Sequence, residues 1–205
     1  MFWLEDPELT RQNLHDLAYL MGGKTIVGAL VFGLIAVELM KRYIGLTEST
    51  GDLYAIPLAA GIAIGRVGCF LTGLSDNTYG VATGLPWGVD FGDGVRRHPT
   101  QVYEIAFLVA LIPLLARILH AIEWQPDNQS SEHSRLRPGD VFKVFLVSYL
   151  LFRLLCDFIK PYPRVFLGLA SIQWVCLLCL LYYSRDILRW MRRSNRPTAT
   201  DRQPS

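Results

Sequence analysis

Charged and hydrogen-bonding side chains recur along one apolar stretch in the second half of the chain. At spacings i, i+4, i+8 and i+11 stand Tyr149, Arg153, Asp157 and Lys160. At about 100° per residue, they fall within an arc of roughly 80° on one helix face. Because a guanidinium can bind a phosphate through two hydrogen bonds, this stripe predicts an anion pocket in which Asp157 orients Arg153. The alternative is an internal Arg–Asp pair that only fixes helix packing.

A second arginine lies in another apolar stretch, between two glycines. Arg66 is the one charged residue between positions 53 and 74, and Gly65 and Gly68 flank it. Charged residues inside a membrane are costly and usually face a functional cavity. The glycines allow a backbone or a lipid headgroup to approach closely. The alternative is an arginine whose long side chain reaches the membrane surface.

A third polar group begins a further apolar stretch. His98, Gln101 and Glu104 recur at intervals of three, so Gln101 and Glu104 share a helix face. A histidine or a carboxylate can serve as the general base for an incoming nucleophile. A purely structural role for the histidine is equally consistent with the pattern.

Apolar helices must position these residues. The chain is 51% apolar and only 19% charged, which excludes a disordered chain, a coiled coil and a disulfide-dense module. Five stretches approach the ~20 apolar residues of a membrane span, at positions 25–40, 53–74, 102–122, 140–159 and 165–183. We therefore predict an all-α, polytopic membrane helix bundle with about five transmembrane helices. Gly61 and Gly65 add a GxxxG spacing that favours close helix packing in lipid.

The remaining sequence predicts three further parts. Positions 7–21 fit an amphipathic helix lying on the membrane, or an ordinary polar leader. Positions 75–101 predict a structured outer loop, with a short strand at 87–91 and a turn directly after it. Positions 184–205 predict a basic, disordered tail after a single transmembrane domain over 1–183.

Lysine and arginine counts predict the orientation. The loops on the tail side carry 11 of them and the opposite loops carry 6. Since the side richer in Lys and Arg is normally cytoplasmic, we expect a cytoplasmic C-terminus, with the N-terminus and the loop 75–101 outside.

All four cysteines lie in apolar stretches. Cys176 and Cys179 form a CxxC pair, which in a soluble protein would indicate metal or redox chemistry. No second CxxC or nearby histidine completes such a site, so we interpret Cys69, Cys156, Cys176 and Cys179 as small core residues. We expect no metal, no cofactor and no nucleic-acid partner.

Four motifs, taken in order, resemble the bacterial prolipoprotein diacylglyceryl transferases over positions 22–161. They are Gly65-Arg66-Val67-Gly68-Cys69-Phe70, Leu85-Pro86-Trp87-Gly88, His98-Pro99-Thr100-Gln101-Val102-Tyr103-Glu104 and Tyr149-xxx-Arg153-xxx-Asp157. The resemblance implies a multi-pass enzyme of the bacterial plasma membrane. It implies transfer of a diacylglyceryl group from phosphatidylglycerol to the cysteine thiol of a lipobox-containing preprolipoprotein or another acceptor on the outer face, with release of glycerol phosphate.

The resemblance also implies roles for individual residues. Arg66 and Arg153 would hold the lipid phosphate, Tyr149 would orient them, and His98 or Glu104 would be the base. The implied catalytic residues are Arg153, Tyr149, His98 and Glu104. The implied substrate-binding residues are Arg66, Gly65, Gly68, Gln101, Asp157 and Lys160.

The chain departs from the family signature at several positions. Cys69 and Thr72 stand where the family has asparagines, and no glutamate follows Gly73. The histidine of an earlier family helix has no counterpart near positions 22–24. A second hypothesis is therefore a catalytically inactive, phospholipid-binding membrane protein of the same fold.

Overall fold

The structure, a computed structural model, describes residues 26–46, 50–123, 138–161 and 167–194. These residues contain five α-helices, which are α1 (Ile26–Ile44), α2 (Asp52–Thr72), α3 (Thr100–Glu123), α4 (Asp140–Cys156) and α5 (Ser171–Ser194). Short 3-10 turns follow α2 and α4, at Gly73–Asp76 and Asp157–Ile159. The all-α fold is confirmed, and the amphipathic helix expected over 7–21 lies outside the described residues.

Helices α2 to α5 form the packed part of the bundle. α2 runs along α3 over most of its length, and α4 contacts α2, α3 and α5. On α2, the buried small residues Ala55, Ala59 and Ala63 recur every four positions. Such a stripe lets helix backbones approach closely, because packing replaces the hydrophobic drive in lipid. The expected packing pair Gly61 and Gly65 lies on the exposed face instead.

Among the described residues, two helical stretches are long and apolar enough to cross a membrane, namely Asp52–Asp76 and Thr100–Ile122. Only 22% and 17% of their most apolar windows are buried inside the protein. Large apolar side chains face outward on every helix, for example Phe32, Ile64, Val109, Leu155 and Leu181. Exposing this surface to water costs about 25 cal/mol per Å², which favours a lipid environment.

Ion pairs extend α5 beyond the span expected at 165–183. Arg189 Nη2 lies 2.6 Å from Asp140 Oδ1 and 3.0 Å from Asp186 Oδ1. Lys143 Nζ of α4 lies 3.3 Å from the other carboxylate oxygen of Asp186. These pairs hold the second half of α5 against α4, so the helix continues to Ser194 where a disordered tail was expected from position 184.

A cap joins α2 and α4 at the same end of the bundle. The Asp52 carboxylate accepts hydrogen bonds from the backbone N–H of Gly139 and, at 3.0 Å, of Phe142. It thus satisfies donors that the first turn of α4 leaves open. Since α2 and α4 start together, the end of α2, the start of α3 and the end of α4 meet at the opposite end.

The loop between α2 and α3 is folded at that opposite end. Strands β1 (Val89–Asp90) and β2 (Arg96–Arg97) pair antiparallel, so the strand expected at 87–91 is shorter than predicted. Asp90 Oδ1 accepts three backbone N–H bonds in the turn, at 2.9 to 3.1 Å. Arg97 Nη1 donates to Asp93 Oδ1 at 2.7 Å, and this hydrogen bond lowers the pKa of the Asp93 carboxyl.

Candidate active site

Glu104 lies at the centre of a buried polar cluster built by three helices. Its Oε2 atom lies 2.9 Å from Arg66 Nε of α2 and 3.4 Å from Arg153 Nη1 of α4. Its Oε1 atom accepts a hydrogen bond from the Tyr149 hydroxyl at 2.6 Å. The Glu104 side chain is 1% exposed and Tyr149 is 0% exposed. Two guanidinium groups that are distant in sequence therefore share one carboxylate.

Further charges surround Arg153. Its Nη2 atom lies 2.9 Å from Asp157 Oδ1, and Lys160 Nζ lies 4.0 Å from the same oxygen. Within the described residues, the cluster thus joins three cations, with Arg66 included, to two carboxylates. Burying charge away from water is costly unless it is paired. Because Arg66 and Arg153 both contact the single carboxylate of Glu104, a phosphate could bridge the same two guanidinium groups.

Local sequence explains how Lys160 reaches the cluster. The stripe was expected on one α-helix through position 159, but α4 ends at Cys156 and continues as a 3-10 turn. Lys160 itself has extended backbone, with φ −97° and ψ 146°. Pro161 follows it, and the residue before a proline avoids the helical region. The side chain of Lys160 is nevertheless buried within the cluster.

The cluster lies near one end of the bundle. Arg66 is close to the end of α2, Glu104 to the start of α3 and Arg153 to the end of α4. With a rise of 1.5 Å per residue, each lies within about 9 Å of its helix end. This is the end that carries the loop between α2 and α3.

The other predicted site residues occupy different surroundings. Gly65 and Gly68 are exposed on α2, and a Cβ atom at either position would meet nothing within 4 Å. His98 Nδ1 lies 3.1 Å from the Tyr103 hydroxyl, so the ring's contact is with Tyr103 rather than with the arginines. Gln101 is buried on the same face of α3 as Glu104.

A glycine seats the loop between α2 and α3 against the cluster, which sequence reasoning missed. Gly80 N donates to His98 O, and Val81 N donates to Ile159 O, both at 2.8 Å. A Cβ atom at position 80 would lie 2.7 Å from His98 Cβ and 2.9 Å from Ile159 O. Only glycine fits this contact, and no local motif marks it.

Cys69 also differs from expectation. It is half-buried, and its Sγ atom lies 3.7 Å from Arg66 Nη1. The sequence feature that indicates this contact is the i+3 spacing of Cys69 from Arg66, which places both side chains on one helix face. Cys156 and Cys176 are buried as expected, and Cys179 is half-buried.

The fold and the cluster define a helical membrane protein with a buried cluster of charged side chains at one end of the bundle. The family model for prolipoprotein diacylglyceryl transferase matches residues 7–184. The chain belongs to this family of polytopic membrane proteins, which confirms the resemblance seen in the motifs.

Individual relatives agree with this assignment. The phosphatidylglycerol–prolipoprotein diacylglyceryl transferase of Nitratidesulfovibrio vulgaris is 33% identical over 184 residues, covering 81% of this chain and 64% of the relative. That of Bordetella parapertussis is 32% identical over 181 residues, covering 82% and 62%. That of Geobacter sulfurreducens is 37% identical over 147 residues, covering 68% and 50%. The chain thus spans less than two thirds of the length of these relatives.

Proposed function

We propose that this protein transfers a diacylglyceryl group from phosphatidylglycerol to a cysteine thiol of a prolipoprotein or a comparable acceptor. The observation that carries the proposal is the convergence of buried Arg66 and Arg153 on one carboxylate. The names of the relatives specify this donor lipid and this acceptor. Glycerol phosphate is the second product.

The two arginines bind the phosphodiester of the donor lipid. Each can present two N–H groups to phosphate oxygens, and the phosphate takes over contacts that Glu104 makes in the free protein. When the bond from the diacylglyceryl carbon to the phosphate oxygen breaks, a further negative charge develops on the leaving group. Preorganised guanidinium groups in a water-poor site stabilise that charge in the transition state.

The transfer is a single nucleophilic substitution at carbon. The thiolate sulfur attacks the diacylglyceryl carbon that carries the phosphate, a C–S bond forms and the C–O bond breaks. The electron pair of that bond leaves on the oxygen of glycerol phosphate, and the thiol proton passes to a base. A thiol has a pKa near 8.5, so a weak base suffices.

The contacts of the two candidate bases favour His98. Glu104 is ion-paired with two guanidinium groups and accepts the Tyr149 hydroxyl, which makes it a poor proton acceptor. His98 contacts the Tyr103 hydroxyl and no guanidinium group among the described residues. In the tautomer that donates from Nδ1, its Nε2 atom can accept the thiol proton. Glu104 then serves to hold the arginines apart and aligned.

The reaction takes place on the outer face of the bacterial plasma membrane in this proposal. The helix ends that carry the cluster also carry the loop 75–101, which the Lys and Arg counts assign to the outside. The N-terminus then lies outside and the C-terminus in the cytoplasm. The same proposal includes five membrane spans. Two of them are the helical stretches that are long and apolar enough to cross a membrane.

The test is transfer by the purified full chain. The protein in detergent is incubated with phosphatidylglycerol labelled in its acyl chains and a lipobox peptide, and labelled peptide and free glycerol phosphate are measured. Arg153→Gln should abolish both products, because the phosphate loses half of its clamp. Lys143→Gln, on the same helix but in the ion pair at the other end, is the matched control and should retain activity.

Each outcome separates the alternatives. Full activity in Arg153→Gln would contradict the assigned site. Wild-type protein that retains bound phosphatidylglycerol through purification but forms no product would support the inactive, lipid-binding alternative.

A further inference from the structure

A buried acceptor atom beside the cluster has no partner within the described part of the chain. Gln101 is 1% exposed, and its Oε1 atom accepts no hydrogen bond there. Its Nε2 atom donates to Thr78 Oγ1 at 3.1 Å. Thr78 Oγ1 in turn donates its own proton to Asp76 Oδ2 at 2.5 Å. Thr78 can therefore only accept from Gln101, which requires the amide nitrogen there and leaves the carbonyl oxygen unpaired.

The position of this oxygen relates it to the arginine cluster. Gln101 and Glu104 are three residues apart on α3 and are both buried, so their side chains share one face. Gln101 lies about 4.5 Å along the helix from Glu104, toward the start of α3. A lipid whose phosphate binds Arg66 and Arg153 would extend its headgroup toward that same end.

The unpaired Gln101 oxygen and the arginines beside it together favour one kind of headgroup. An amide oxygen only accepts hydrogen bonds, and leaving it unpaired in a buried place is unfavourable. A hydroxyl or an ammonium group could supply the proton. The neighbouring guanidinium groups of Arg66 and Arg153 disfavour the ammonium group of a zwitterionic lipid.

We infer that Gln101 determines headgroup specificity, with its carbonyl oxygen accepting a hydrogen bond from a hydroxyl of the phosphatidylglycerol headgroup. The inference rests on the proposed function for the identity of the donor lipid. Arg66 and Arg153 bind the phosphate that all anionic phospholipids share, and Gln101 distinguishes a glycerol headgroup from one without hydroxyls.

The experiment compares two donor lipids that differ only in those hydroxyls. Phosphatidylpropanol has the same phosphodiester and charge, with a propyl group in place of glycerol, and would release propyl phosphate. The full-length protein in detergent receives each lipid with the lipobox peptide, and kcat/KM is measured. We expect about a tenfold preference for phosphatidylglycerol, since a buried acceptor loses its partner with the other lipid. Equal values in the wild type would overturn the inference without any variant.

Two glutamine variants then test whether Gln101 causes the preference for phosphatidylglycerol. Gln101→Met keeps the side-chain length and removes the acceptor, so the ratio of the two kcat/KM values should fall close to one. Gln173 is an equally buried glutamine whose Oε1 accepts from Ala170 N and whose Nε2 donates to Leu154 O. Gln173→Met is the matched control and should keep the wild-type ratio. A wild-type ratio in Gln101→Met would overturn the inference.

Binding measurements separate this inference from the proposed function. Both lipids are incorporated into nanodiscs with the protein, and retention of each is compared by native mass spectrometry. Selective retention of phosphatidylglycerol without any transfer would contradict the proposed function and support the role of Gln101. Transfer at equal rates from both lipids would support the proposed function and contradict the role of Gln101.

Discussion

The shared carboxylate makes a strong prediction for Glu104→Gln. This variant keeps the size of the side chain and an oxygen for the Tyr149 hydroxyl, but removes the charge between Arg66 and Arg153. Among the described residues, the cluster then holds three cations and one carboxylate. Removing one partner of a buried ion pair typically costs about 3–5 kcal/mol of stability. We expect a loss of this size in the lipid-free protein.

Anionic lipid should reverse much of this loss. A bound phosphate supplies the negative charge that the variant lacks, so phosphatidylglycerol should raise the unfolding temperature of Glu104→Gln more than that of the wild type. The assay is thermal unfolding of the purified protein in detergent, with and without added lipid. Asp186→Asn, which removes a half-exposed carboxylate at the other end of the bundle, is the control and should lose at most about 1 kcal/mol.

Two results would refute this reasoning. If Glu104→Gln unfolds at the wild-type temperature without lipid, the carboxylate does not stabilise the two buried guanidinium groups. If added phosphatidylglycerol stabilises the variant and the wild type equally, the arginines do not exchange Glu104 for a phosphate.

Two further predictions concern the loop between α2 and α3. Gly80→Ala should expose the loop to limited proteolysis and lower transfer activity, because the added methyl group overlaps His98; Gly84→Ala, where a Cβ meets nothing within 4 Å, should do neither. The hydrogen bond from Arg97 lowers the pKa of the Asp93 carboxyl in the folded loop. The pairing therefore stabilises the turn fully above the unfolded pKa near 3.9, and this stabilisation is lost as the pH falls from there through the lower pKa of the folded state. Asp93→Asn should remove that acid sensitivity in amide exchange of the loop, and an unchanged profile would contradict the pairing.

Much of the site could be read from helical periodicity. The spacing of Tyr149, Arg153 and Asp157 predicted one face of a helix, and all three are buried together. The shared face of Gln101 and Glu104 followed from the same rule, and both are buried on α3. These predictions succeeded because a helix relates residues three or four apart by local geometry alone.

Other features depend on partners far away in sequence. Where a disordered tail was expected from position 184, α5 continues to Ser194, and Arg189 of this part pairs with Asp140 of another helix. The packing stripe of α2 proved to be its alanines rather than Gly61 and Gly65, and composition alone could not indicate which face meets α3.

The sequence by itself determined which residue types could bind a phosphate and which helix faces carry them. Only the tertiary structure decided that Arg66 and Arg153 share Glu104, and that the Gln101 acceptor atom beside them has no partner among the described residues. The physical reason is the range of the interactions. Helical periodicity acts within a few residues, whereas Tyr149 and Arg153 reach Glu104 across 45 and 49 positions of the chain, which only helix packing brings together.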